Sequence, residues 1–439
     1  MYRALLPFLM LITATFGVQA VSPSGHFQQR LLELQREGSC ADLPEFGVNI
    51  HRRRNPDDIN VRLTSEVGAH IVRLDVPWID LERNGQYDFN PIDNLINELR
   101  RSGISIDLAL AYGHPDHSDG RAENGFPLPP YTTEQQAAYG RFAQAVARRY
   151  RGPDIVYEIW NEPNLALFWP LVPDVKAYGE LLSQAARAIR EVDPTAKIIP
   201  GGLANENNPP AFLRALVESG SLRELDGITF HPYRREGPEN SLYDIAEFES
   251  SAASRGDRPL WLNEWGYSES WFSKLGPERS RERVSVVTAR LMLTAALAKA
   301  KAALVYDLID DGTDPNDQES NFGLYDYNFK PKPAAAAFRI MAGLMSSCSK
   351  YRFNADPVNN TVTATFYSAG AASYVVWTYA PGPAREICLA IPGREPIDLK
   401  SVSGDHLPIE SCASASQVRL QLSETSGPVI LLTEGTSPK

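Results

Sequence analysis

Between residues 45 and 309 the chain alternates between two hydrophobic rhythms. Short, almost continuously apolar runs are EFGVNI (45–50), IVRLDV (71–76), SIDLALAY (105–112), IVYEIW (155–160), KIIPGG (197–202), GITFHPY (227–233), PLWLNEWG (259–266) and ALVYDLI (303–309). Apolar runs without alternation predict strands buried on both faces. The stretches between them carry apolar residues at helical spacing. Examples are PIDNLINELRRSG (91–103), QQAAYGRFAQAVARRY (135–150), VKAYGELLSQAARAIREV (175–192) and RERVSVVTARLMLTAALAKA (281–300). Several open after Pro and close on Gly or a basic residue, as helix ends do. Eight strand–helix units over about 300 residues predict an α/β fold, a (β/α)8 TIM barrel. A doubly wound open sheet is the competing architecture, but no G-x-G-x-x-G or G-x-x-x-x-G-K-[ST] follows the first run.

From about residue 350 the period falls to two, as in TVTATFYSAGAASYVVWTYA (361–380) and SQVRLQLSETSGPVILLTE (416–434). That texture predicts a small C-terminal antiparallel β-sandwich at 348–439, an accessory packed on a barrel at 45–347. In the lead-in at 21–44, HFQQRLLELQREG (26–38) has helical spacing and ends on Gly38, predicting a short helix. The first segment, MYRALLPFLMLITATFGVQA (1–20), has a basic Arg3, an apolar run and small residues at its end, the layout of a secretory signal peptide. Its apolar run, Ala4 to Phe16, is shorter than the roughly 20 residues of a membrane span. Export to the periplasm or medium is expected, with no membrane span in the mature chain.

A formal net charge of −11, with no basic run longer than Arg52-Arg53-Arg54, argues against nucleic acid and anionic lipid as partners. Export makes Cys40, Cys348, Cys388 and Cys412 candidates for two disulfides, although four free thiols would suit a chain of this size. Cys40 precedes the first strand and Cys348 follows the last helix, neighbours where a barrel closes; Cys388 and Cys412 both lie in the β-rich region. C-x-x-C and H-E-x-x-H are absent, so no metal and no cofactor are expected.

In (β/α)8 enzymes the working residues sit at the carboxyl ends of the strands. Those positions carry Arg73, Asp75 and Trp78 on strand two, Tyr112 and His114 on strand three, and Asn161-Glu162 on strand four. Strand six supplies His231-Pro232-Tyr233 and strand seven Asn263-Glu264-Trp265. Strand parity puts Asn161 and Glu162 on opposite faces, so both aim inward only if the strand breaks, and Pro163 forces a break. Asn-Glu-Pro also resembles a helix N-terminus; Glu264 at the matching place three strands on favours the site reading. Paired carboxylates flanking one bond are what glycoside hydrolysis needs: one protonates the leaving oxygen and the other attacks the anomeric carbon. Arg73 and Tyr233 are suited to hold Glu264 ionised, burial and Glu264 to keep Glu162 protonated, and Asn161 to meet a sugar 2-hydroxyl.

Around this pair, Trp169 and Trp265 are candidates to stack on sugar rings, Trp78 is an even case, and Trp271 reads as structural. His231 and His114 are expected to border the site, and His117 less so. Glu158 reads as a structural partner of Arg73, and Asp307, Asp310 and Asp311 as a solvated acidic loop.

VRLDVPWIDLE (72–82), VYEIWNEPNLALFW (156–169), TFHPY (229–233), NEWGYS (263–268) and FGLYDYNFKPKPA (322–334) together resemble glycoside hydrolase clan A. Within it the chain is most similar to family 39 and its relatives, including members that hydrolyse biofilm exopolysaccharide. The resemblance implies a retaining mechanism with Glu162 as acid/base and Glu264 as nucleophile, and a C-terminal β-domain packed on the barrel. It points to a polysaccharide substrate cut internally; release of single sugars such as xylose, transglycosylation, or non-catalytic polysaccharide binding are the alternatives. One departure stands out: many clan A barrels end strand eight on tryptophan, whereas this chain has VYDLIDDG (305–312).

Overall fold

Each apolar run becomes a stave because its neighbours cover both of its faces. In a computed structural model, which describes residues 36–435 apart from 53–54, 123–124, 253–257, 380 and 415, the staves are parallel strands. They span Glu45–Ile50, Ile71–Pro77, Ser105–Ala111, Ile155–Ile159, Lys197–Pro200 with Leu203–Ala204, Ile228–His231, Leu260–Trp265 and Ala302–Val305. The eighth pairs with the first (Val305 opposite Val48), and the fifth is split. Its first piece pairs with strand four and its second with strand six, so the ring closes through the break at Gly201-Gly202. That break needs glycine: a Cβ on Gly201 would lie 2.7 Å from the Trp160 carbonyl oxygen, and one on Gly202 1.9 Å from His231 Nε2.

A helix follows each stave: Asp57–Val67, Asn90–Arg101, Thr133–Arg149, Val175–Arg190, Pro209–Ser219, Ser241–Ala252, Pro277–Leu297 and Pro333–Ser347. Their starts are locally encoded. Thr132 and Gln135 form a capping box, and the Asp174 carboxylate accepts from the Lys176 and Ala177 amides.

The β-rich region forms a six-stranded antiparallel sheet and a three-stranded one. Period two explains the stacking. Phe353, Val362, Ala364, Phe366, Val375 and Trp377 join the barrel's core, whereas Tyr374, Val376, Leu399 and Leu431 meet Val418, Leu420 and Leu422 of the smaller sheet.

The lead-in corrects one expectation. Residues 26–35 of the expected helix, like the leader at 1–20, lie outside the described residues. The remainder is strand: Arg36–Ser39 pairs antiparallel with the edge strand Lys350–Asp356. Helical propensity loses there to an unpaired sheet edge more than 300 residues away in sequence, a partner invisible to local spacing. Just beyond it the Cys40–Cys348 disulfide joins the two segments, and Cys388–Cys412 ties the smaller sheet.

A charge cluster sits where the sheets meet the barrel. Arg290, 1% exposed, donates to both oxygens of Glu239 (2.8 and 2.6 Å) and to Glu424 Oε1 (2.9 Å), and the Trp377 indole also donates to Glu239 (2.8 Å). Removing one partner from such a cluster strands a buried charge. Arg290→Ala is expected to lower unfolding free energy by about 3–5 kcal/mol, read by chemical denaturation.

Candidate active site

At the end of strand four the backbone takes an uncommon course. Trp160 and Glu162 adopt φ of 75° and 42°, in the left-handed region that L-residues avoid, with Asn161 between them. This is the break that parity demanded, and it points Asn161 and Glu162 toward the same centre. Such conformations cost about 1–3 kcal/mol each and persist where surroundings over-determine them. Here the Trp160 indole donates to the Phe168 carbonyl (3.0 Å), its ring packs against Tyr112, Tyr139 and Trp169, and the Glu162 amide donates to Gly202 (3.0 Å).

Strands four, six and seven then converge. One oxygen each of Glu162 and Glu264 and a nitrogen of His231 all lie within 4.8 Å of one another. His231 Nδ1 is 2.9 Å from Glu162 Oε1 and 3.9 Å from Glu264 Oε2, and its Nε2 is 3.1 Å from Asn263 Oδ1. Because Asn263 gives its Nδ2 to Asp107 (2.9 Å), its Oδ1 accepts from Nε2–H, leaving Nδ1 to share one proton with Glu162. Glu264 is held differently. It accepts from Arg73 (2.8 Å) and from the Tyr233 hydroxyl (3.1 Å). Arg73, 4% exposed, also donates to Glu158 (2.5 Å), Asn161 Oδ1 (2.7 Å) and Asn49 Oδ1 (3.2 Å).

The two carboxylates therefore titrate in opposite directions. Burial, reinforced by Glu264 and only partly offset by His231, raises Glu162 above the usual carboxylate range. Burial also works to raise Glu264, but His231, Arg73 and Tyr233 outweigh it and hold Glu264 below that range. Burial resists charging His231, yet Glu264 and Glu162 together raise it. On the barrel floor, burial and then Glu158 push Asp107 up to about 8.

Of the residues expected at the site, Arg73, Asn161, Glu162, His231, Tyr233 and Glu264 are joined in this one network. The tryptophans are not. Trp78, Trp169 and Trp265 are fully buried, so none of the three rings opens a face to solvent. Trp169 lies among Tyr131, Trp160 and Tyr178, and Trp78 against His117 and Phe142. No sugar reaches those faces in this arrangement. Trp271, read as structural, is the half-buried one of the seven, edge-on to Phe322, which in turn meets Tyr233 and Tyr306. His114 is buried too, with Glu82 and Asp116 as its partners. Asp307 and Asp310 are also buried rather than solvated; Asp310 pairs with Lys332 at 2.7 Å.

Tyr112, expected at the end of strand three, accepts from the Asn161 amide (3.3 Å), and Asn49, Asp107 and Gly202 complete the network without having been singled out for it. Asn49 and Asp107 carry a readable signal, a polar side chain inside an otherwise apolar barrel strand. Gly202 carries none, since its role depends on the His231 ring arriving from the next stave.

The sequence model of Glycosyl hydrolases family 39 matches residues 66–380, more than half of the chain. No curated protein matches the sequence. Among solved structures, the chain is similar to a family 39 glycoside hydrolase from Bacteroides cellulosilyticus WH2, at 21% identity and a TM-score of 0.72 over 90% of this chain and 82% of that one. It is also similar to a monomeric β-xylosidase from Caulobacter crescentus CB15 (16% identity, TM-score 0.65, 90% and 97% covered). A third likeness is to the family 39 enzyme from Xanthomonas axonopodis pv. citri (15%, 0.64, 92% and 96%). These likenesses establish the shared fold, and the family match carries the assignment: the chain belongs to glycosyl hydrolase family 39 and is a retaining glycoside hydrolase of clan A.

Proposed function

We propose that Glu162 is the general acid/base and Glu264 the nucleophile of this glycosidase. The observation that carries the reading is the pair itself: carboxyl oxygens within 4.8 Å of one another, with Glu162 pushed toward the protonated form and Glu264 toward the ionised one. Two groups so close leave no room for an attacking water beside a bound sugar, which suits direct attack by a carboxylate. In the first step Glu264 attacks the anomeric carbon while Glu162 gives its proton to the departing oxygen. Glu162, now a carboxylate, then takes a proton from water as that water displaces Glu264, and two inversions retain the configuration. His231 shares the Glu162 proton, and Asn161, with Oδ1 anchored on Arg73, presents its amide to the sugar 2-hydroxyl.

As substrate we propose a β-linked polysaccharide, such as an exopolysaccharide, met outside the cytoplasm and cut internally. The signal-like leader and the two disulfides support export. A second reading is exo-acting β-xylosidase, favoured because two of the similar solved structures are β-xylosidases. A polysaccharide and aryl-xyloside panel separates them: a ladder of oligosaccharides marks internal cleavage, and release of xylose alone marks the second reading.

Glu162→Gln is expected to lose about 10²–10⁴-fold in turnover on substrates with poor leaving groups. Glu264→Gln is expected to lose at least as much on every substrate, with melting temperatures close to wild type. Wild-type turnover in either variant would remove that residue from its role. The pH profile follows from the signs. Activity requires Glu264 ionised, so it falls in acid as pH drops through a pKa below the usual carboxylate range. It requires Glu162 protonated, so it falls again as pH rises through a pKa above that range. In Glu162→Gln the alkaline limb is expected to vanish when kcat/KM is measured with an activated aryl glycoside. Gly202→Ala is expected to displace the His231 ring and lose activity more than stability, seen as a fall in kcat with little change in KM.

A further inference from the structure

We propose that His51, Asp307 and Asp311 form a binding site for one divalent d-block cation at the barrel rim, separate from the carboxylate pair. His51 directly follows strand one; Asp307 and Asp311 follow strand eight, the stave hydrogen-bonded to it. His51 Nδ1 lies 2.7 Å from Asp311 Oδ1 and 3.6 Å from Asp307 Oδ2, and one donor atom from each residue falls within 4.8 Å of the others. Ligands bound at about 2.0–2.2 Å to one ion stand closer together than that limit, so a modest inward rotation brings the three donors onto one ion, with water filling the rest of its shell. His51, with a quarter of its side chain exposed, has room to turn and leaves a path from solvent.

The second observation is Asp307. It is 1% exposed, and its Oδ1 is buried with no hydrogen-bond partner, a deficit that a bound cation would relieve. The nearby buried ammonium makes no direct contact with that oxygen: Lys332 is committed to Asp310 (2.7 Å) and Glu269 (2.8 Å). One imidazole and two carboxylates form a mixed nitrogen–oxygen set, which suits Zn²⁺ or Mn²⁺ better than Ca²⁺ with its all-oxygen shell. Glu162, His231 and Glu264 also bring three donors within 4.8 Å, but there the Arg73 guanidinium, 2.8 Å from Glu264, repels a cation. An ion at the rim would tie strand one to strand eight beside Tyr306, whose ring packs on His51 at 5.5 Å and whose hydroxyl donates to Glu319 at 3.3 Å. His51 stands 260 residues before Asp311 in the chain, so the three donors form no local spacing motif.

The test is calorimetric titration of the chelator-stripped whole protein with ZnCl2 and with MnCl2, together with bound-metal analysis after desalting. One equivalent of Zn²⁺ or Mn²⁺ is expected in the wild type and equally in Glu162→Gln. Loss of even an outer-sphere partner typically weakens metal binding about 10–100-fold, so His51→Ala and Asp311→Asn should each weaken it at least tenfold. A rise in melting temperature with the ion, absent in either rim variant, would accompany binding. The proposal is overturned by no saturable binding of either ion, by binding that a folded His51→Ala or Asp311→Asn leaves unchanged, or by binding that Glu162→Gln abolishes.

Discussion

The Arg73 guanidinium is the constraint on which the rest of the barrel's interior turns. Buried inside a ring of apolar staves, it must be met by anions and carbonyl-type oxygens, and it is met from three other strands at once: Asn49 on the first, Glu158 and Asn161 on and after the fourth, Glu264 on the seventh. A buried ion pair is a weak source of net stability, because desolvation consumes most of the Coulomb gain. What it supplies is placement. With one positive charge shared between Glu158 and Glu264, Glu264 stays ionised, and a second carboxyl within 4.8 Å is driven toward its neutral form. The opposite behaviour of the two glutamates is thus set by what surrounds each: burial raises Glu162, while His231, Arg73 and Tyr233 together outweigh burial at Glu264.

Strain at the end of strand four belongs to the same arrangement. Two non-glycine residues in left-handed conformations aim Asn161 and Glu162 at one point, and the glycine pair that splits strand five gives them space. Gly202 does three things: its carbonyl takes the Glu162 amide, its own amide donates to Glu158, and its missing side chain admits the His231 ring. The irregular fifth stave is therefore part of how the centre is assembled. Behind it, the C-terminal sheets brace the barrel from outside, through a core that runs without interruption from the staves into the larger sheet and through the Arg290 cluster.

How far could the chain be read before it was seen folded? The eight staves were legible because burial on both faces writes an unbroken apolar run, and the helices because burial on one face writes a 3.6-residue period. The paired glutamates were legible for a related reason. A charged residue at the end of an apolar run is expensive unless something needs it there, and Glu162 and Glu264 lie at the carboxyl ends of two such runs. Arg73 and Glu158, charges inside such strands, announced themselves in the same way. The tryptophans misled, since an aromatic near a strand end is equally at home stacking on sugar or filling the gap between stave and helix, and composition does not record which side a ring faces. The segment before Cys40 misled because its partner is an edge strand formed at the far end of the chain.

Order along the chain thus settles which residues are strand, which are helix, and which carry charge into an apolar place, because those are matters of local covalent geometry and solvation. Distances between groups from different staves, the burial of Trp169 and Asp307, and the meeting of His51 with Asp311 belong to the closed ring alone. They depend on how far separate segments approach once packed, and Coulomb energies and steric contacts vary with that separation, not with position in the chain.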